Sequence, residues 1–182
     1  MRELLAFTLS ELETPLGAIL VVTDAEGRLR VLDWKTHEAR MRRLLGRLYG
    51  AEGVILTVGP APSLIVDKLR AFFSGDLAAI DAIPVETAGT PFQREVWAAL
   101  RQIPPGETWS YSQLADRIGR PAAVRAVGAA NGANPISLVV PCHRVIGANG
   151  ALTGYAGGVQ RKAWLLSHEA SAANLVSQRP AP

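Results

Sequence analysis

Three short apolar segments open the chain, each broken by turn residues. Residues 4–8, 16–23 and 29–34 are rich in β-branched and aliphatic side chains, and Thr14-Pro15 and Asp24-Ala25-Glu26-Gly27 separate them. The spacing predicts a small antiparallel meander. The period then lengthens: residues 37–48 and 63–73 read as helices, the second with Leu64, Val66, Leu69, Phe72 and Phe73 near helical spacing before Gly75. Residues 78–89 follow as a connector with room for one edge strand. Nothing in this part assembles chemistry, so residues 1–84 are expected to form a supporting α/β domain.

The texture changes at Thr90. Thr90-Pro91-Phe92-Gln93 supplies an N-cap, a proline at the first helical position and a capping-box glutamine. Phe92, Val96, Ala99, Leu100 and Ile103 give that helix its core stripe, and Pro104-Pro105-Gly106 stops it. Ser110-Tyr111-Ser112-Gln113 repeats the capping box, with Tyr111, Leu114, Ala115 and Ile118 at i, i+3, i+4 and i+7 before Gly119. Pro121 opens a third helix running to Asn131-Gly132, so a tight turn joins two short helices as in a helix-turn-helix. On a helical wheel Val124, Val127, Gly128 and Asn131 share one face, while Ala122, Arg125, Ala126 and Ala129 make the other unusually smooth, with a single cation. Alanine as a helix former, a packed neighbouring helix, or close approach to a nucleic-acid groove would each account for that face.

Residues 137–140 read as a short strand ending at Pro141, and residues 159–169 as the last helix, closed by Glu169 where the macrodipole disfavours a negative charge. The rest of the chain, residues 171–182, is rich in Ser, Ala and Pro and is expected to be a disordered tail.

Composition narrows the class. At 182 residues and 48% hydrophobic, the chain can bury a sizeable core, and no run approaches the length of a membrane span or a signal peptide. A cytoplasmic location is expected. One cysteine excludes an internal disulfide framework, and three histidines (His37, His143, His168) show no zinc spacing. The glycines after Gly147 fit neither the phosphate-loop nor the dinucleotide fingerprint, so no metal and no cofactor are expected. Residues 1–90 hold ten Lys and Arg against twelve Asp and Glu, whereas residues 91–169 hold eight against four, an asymmetry compatible with a polyanion-facing second half.

The candidate chemistry is Cys142, set in Pro141-Cys142-His143-Arg144-Val145. A thiolate is the reactive form of cysteine, and an adjacent imidazole can generate it. Successive strand side chains point to opposite faces, so Cys142 and His143 can cooperate only if the backbone turns there or a water bridges them.

Taken together, Thr90-Pro91-Phe92-Gln93, Tyr111, Ala123-Val124-Arg125-Ala126-Val127-Gly128, Asn131, Asn134-Pro135, Pro141-Cys142-His143-Arg144-Val145, Thr153-Gly154-Tyr155-Ala156-Gly157-Gly158, Trp164-Leu165-Leu166 and His168-Glu169 resemble the O6-alkylguanine-DNA alkyltransferase family, in particular its bacterial stand-alone members of the Ogt type. The resemblance is dense from Thr90 to Glu169. It implies a ribonuclease H-like α/β domain followed, over residues 85–170, by a mostly helical, winged-helix-like catalytic domain with a helix-turn-helix. It also implies irreversible, stoichiometric transfer of the alkyl group from O6-alkylguanine, with O4-alkylthymine as an option, to Cys142 after the base is flipped through the minor groove.

By the same similarity His143 withdraws the thiol proton through a water, Glu169 orients the imidazole, Tyr111 donates a proton to the leaving guanine, and Asn131 acts beside the cysteine. Arg125 fills the vacated stack, Ala126 and Ala129 meet the groove, and Tyr155, Ala156 and Gly157 wall the pocket. Ala156 stands where some members carry a serine. The implied partner is double-stranded DNA containing alkylated bases, bound by a monomer, with cooperative binding as an option and no membrane. Competing readings are a non-catalytic damage sensor, a Cys-His-Glu hydrolase and a major-groove regulator; Cys142 speaks against the first, and the paucity of Asn, Gln and Arg readers on the third helix against the last.

Overall fold

The structure, a computed structural model, describes residues 4–50 and 53–177. The first sheet is built on β1 (Leu5–Leu12), β2 (Ile19–Thr23) and β3 (Leu29–Trp34), paired antiparallel in sequence as the turn signals predict. All of β2 is buried, because the sheet is covered on both faces. Leu20 and Val22 point to a small core with Phe7, Val31, Met41 and Leu45, while Ile19 and Val21 point to the main core.

The sheet is not purely antiparallel. After α1 (Glu38–Tyr49), a fourth strand, β4 (Val54–Val58), lies parallel to β1, giving the order β3-β2-β1-β4. Parallel neighbours need a crossover long enough to return to the starting end, and α1 supplies it. The next helix, α2 (Ser63–Phe73), covers the main-core face with Ile65, Leu69 and Phe72; Leu64, expected in the stripe, is exposed.

The second part is mostly helical. α3 (Pro91–Leu100) and α4 (Tyr111–Arg117) each begin with the complete capping box expected of them. A 3-10 turn (Pro121–Ala123) leads into α5 (Val124–Gly132), and the Trp97 indole donates to Ala130 O at 2.9 Å, fixing α3 against α5. β5 (Trp109–Ser110) and β6 (Val145–Ile146) form a short parallel pair. The last helix, α6 (Val159–Ser177), runs well past Glu169. Residues 171–177 are therefore helical, not a disordered tail, and residues 178–182 lie outside the described residues. The main core joins the two parts, with Leu32 and Trp34 in one cluster with Leu100, Val140 and Leu165.

Residues 137–140 do not form the expected strand. Only Ile136 bridges to Leu32, through Leu32 N–H to Pro135 O at 3.0 Å and Ser137 N–H to Leu32 O at 2.9 Å. The chain then coils tightly, with Leu138 at φ 69° and Val140 N–H donating to Ile136 O at 3.0 Å. The apolar side chains of residues 138–140 are all buried by this turn, so their hydrophobicity reflects the core and not a sheet.

Candidate functional site

Cys142, His143 and Arg144 occupy one 3-10 turn just beyond Pro141, which solves the steric problem of two reactive groups on adjacent residues. A 3-10 turn rotates successive side chains by about a third of a circle, where a strand would oppose them. All three are buried, and Cys142 is 6% exposed. Asn134 braces the turn: its amide donates to Val140 O at 2.7 Å and its oxygen accepts Ile136 N–H at 2.9 Å.

Behind the turn lies a buried polar relay. His143 Nε2 is 2.7 Å from Glu169 Oε1, and Arg144 grips the same carboxylate with Nε at 2.9 Å from Oε2 and Nη2 at 2.9 Å from Oε1. The third nitrogen of Arg144 donates to Ile103 O at 2.6 Å. Burial alone would raise the Glu169 pKa, but the hydrogen bonds and charges of His143 and Arg144 reverse this and hold it down to about 2. An ionised carboxylate only accepts, so the hydrogen lies on Nε2 and Nδ1 keeps its lone pair. That Nδ1 is buried with no hydrogen-bond partner among the described residues. Burial pushes the His143 pKa down, against the pull of Glu169, so the ring rests neutral.

Burial pushes the Cys142 thiol up, only partly offset by Asn134, Arg40 and Lys162. The sulfur therefore rests as a thiol and needs a base to act. Glu169 is not at a helix end: it sits within α6, and its charge answers Arg144 and His143 and not a macrodipole.

The other expected residues fall on both sides of this centre. Tyr111 opens α4 with its ring over Gly128 of α5 and its hydroxyl 3.3 Å from Thr153 O. Burial, and the proximity of Cys142, push its pKa up, while Asn131 opposes the shift. Asn131 is 3% exposed, and its Oδ1 has no hydrogen-bond partner among the described residues. On the far face of α5, Arg125, Ala126 and Ala129 are exposed as the wheel requires. Nearby Arg117 and Arg120 are engaged with Trp109 and with Phe92 and Glu95, whereas Arg125 makes no ion pair among the described residues. Tyr155 and Gly157 are buried and Ala156 partly so, in the loop that leads from Thr153 to α6.

Two contributors escaped the sequence reading. Arg144 belongs to the cysteine motif, but nothing in the motif alone assigns it a role. Lys162 is fully buried, with Nζ donating to Thr153 O at 2.9 Å and closely to Val145 O. The signal for it was available: Lys162, Leu165 and Glu169 fall at i, i+3 and i+7, on one inward face of α6. Among the described residues no group of His, Cys, Asp and Glu is arranged to hold a metal ion, and no helix is long and apolar enough to cross a membrane.

Residues 91–171 match the family model for the 6-O-methylguanine DNA methyltransferase DNA-binding domain. A methylated-DNA–protein-cysteine methyltransferase of Shigella flexneri is 56% identical over 159 residues, 87% of this chain and 93% of that protein. Its namesake in Salmonella typhimurium is 58% identical over the same length. Among solved structures, that of Mycobacterium tuberculosis OGT in complex with DNA superposes with a TM-score of 0.77 at 41% identity, covering 91% of this chain and 94% of that one. With this identity sustained across nearly the whole of both sequences, the chain belongs to the methylated-DNA–protein-cysteine methyltransferase family.

Proposed function

We propose that this protein repairs DNA by moving the alkyl group of an O6-alkylguanine onto its own Cys142, once per molecule and without a cofactor. The observation that carries this is the buried hydrogen-bonded set of His143, Arg144 and Glu169, the first two on the same turn as the buried Cys142, in a chain whose α5 exposes Arg125 and alanines. The thiol proton passes through a water to His143 Nδ1, and the positive ring is stabilised by Glu169 across the 2.7 Å hydrogen bond. The sulfur then attacks the alkyl carbon, so that an S–C bond forms as the C–O6 bond breaks and the electron pair leaves with the purine. Tyr111, on the other side of the pocket, gives the departing base a proton and recovers one from solvent.

A base atom inside a duplex is out of reach of a buried sulfur, so the nucleotide must be extruded, at a cost of about a few kcal/mol. Small side chains at Ala126 and Ala129 allow α5 to approach the minor groove, and the free guanidinium of Arg125 takes the vacated position in the stack. Asn131 lies beside Tyr111 and supports the proton transfer indirectly. Tyr155, Ala156 and Gly157 wall the pocket; with alanine at 156, backbone groups hold the alkylated oxygen. Residues 1–84 act as the support and residues 85–170 as the DNA-binding and catalytic part, in a monomer working in the cytoplasm. The ribonuclease H-like and winged-helix descriptions fit the mixed sheet and the α4–α5 pair.

Mass spectrometry of the intact protein after exposure to a duplex carrying O6-methylguanine tests the proposal. One methyl increment on Cys142, with stoichiometric loss of the damaged base, is expected. No adduct, an adduct on another residue, or repeated turnover per molecule would refute it.

A further inference from the structure

Trp34, the last residue of β3, belongs to the supporting part of the chain and yet reaches the pocket loop. It is fully buried, with its indole close enough to Tyr155 to oppose the rise that burial imposes on that phenol's pKa. A Cβ built on Gly157 would lie 2.6 Å from Trp34 Cδ1 and 2.6 Å from Tyr155 Cε1, and closer still to the indole nitrogen. The backbone at 157 is thus pressed against the indole, which only glycine permits. Arg161 closes the arrangement from the opposite side. Its guanidinium carbon stands 4.5 Å over the indole ring, and it donates to Gly157 O at 3.1 Å, Thr36 Oγ1 at 3.1 Å and Leu16 O at 3.2 Å. Tyr155, whose ring meets His143 edge-on at 6.4 Å, leans on the same indole.

We propose that Trp34, clamped by Arg161, is a specificity-determining residue: from behind Tyr155 and Gly157 it fixes the depth of the pocket, so that the amino-terminal sheet limits the size of the alkyl group Cys142 accepts. This rests on the alkyl-transfer function proposed above. Close-packed interiors transmit the loss of a large side chain to whatever leaned on it. Without the indole, the side-chain-free segment at Gly157 can retreat, which helps a bulky substituent and is of no use to a methyl group. Trp34 acts through the loop and does not touch the reacting atoms.

The test compares single-turnover rate constants of the full-length protein on duplexes carrying O6-methylguanine and O6-benzylguanine, read as Cys142 adducts by mass spectrometry. Trp34→Ala is expected to raise the benzyl-to-methyl ratio about tenfold, the low end of what one methylene of pocket room is worth. Trp34→Phe and Arg161→Met should raise it less, and these decide the matter if the alanine variant does not fold. Folding damage alone lowers both rates together and leaves the ratio in place. An unchanged or lowered ratio in folded variants that still transfer methyl overturns this inference alone, whereas failure of the unsubstituted protein to transfer either group removes the underlying function and the inference with it.

Discussion

Glu169→Gln probes the relay at its most constrained point. The carboxylate is fully buried, and its titration is displaced from the usual 4.5 to about 2. At roughly 1.4 kcal/mol per pH unit, that displacement corresponds to about 3–4 kcal/mol of folding stability. Because the folded pKa lies below the unfolded one, the contribution is complete above the unfolded value of 4.5 and fades as the pH falls toward 2. A glutamine cannot neutralise Arg144, whose side chain is only 4% exposed, and stranding a buried charge costs about 3–5 kcal/mol. The two routes agree in size.

Urea unfolding of both proteins at neutral pH, and then in steps down to pH 2, measures the effect. The variant is expected to be less stable by several kcal/mol at neutral pH and to lose less stability in acid than the native protein, the lowered carboxyls of Asp24 and Glu38 still contributing in both. Transfer to Cys142 should also slow by about a hundredfold or more, because the amide no longer holds the proton on His143 Nε2. Equal stability at neutral pH together with an identical acid limb would show that the carboxylate is not ionised by its partners, and the assignment of His143 Nδ1 as base would fall with it.

Three further outcomes are expected. Cys142→Ala should abolish transfer while leaving affinity for duplex DNA within about twofold, since the exposed face of α5 is a separate surface; gel-shift titration beside the adduct assay checks this, and loss of both in a folded protein contradicts it. Arg125→Ala should slow repair in a duplex by about tenfold or more and leave reaction with free O6-benzylguanine nearly unchanged, because the free base needs no extrusion; equal losses on both would exclude that role. Lys162→Met keeps the volume but takes the ammonium from Val145 O and leaves Thr153 O with the Tyr111 hydroxyl alone, so thermal unfolding should report a loss of about 1–3 kcal/mol, and a neutral result would mean that the buried ammonium contributes nothing net.

The signals read correctly from the sequence were local. Two capping boxes, the glycine after α4, and the split of α5 into an inner face with Asn131 and an outer face with Arg125 each depend on residues within two helical turns of one another. The misreadings share a cause. Residues 137–140 carry the composition of a strand because they are buried, and burial and strand pairing favour the same residues. β4 went unread because its pairing partner, β1, lies about fifty residues earlier in the chain. The Ser, Ala and Pro content of the tail suggests disorder, yet its alanines carry α6 on to Ser177, with Ala172 buried in the main core.

What the amino-acid order determined by itself was the adjacency of Cys142 and His143, the capped starts of α3 and α4 and the smooth outer face of α5, all written in contiguous residues. What only the folded chain decided was the state of that pair: which histidine nitrogen is free, what holds Glu169 ionised, and how far an indole from the first sheet crowds the pocket loop. His143 and Glu169 are 26 residues apart, Arg144 and Ile103 are 41 apart, and Trp34 meets Gly157 across most of the chain. Protonation and pocket size follow from desolvation and close packing among distant neighbours, quantities that come into being only when the chain has collapsed around them.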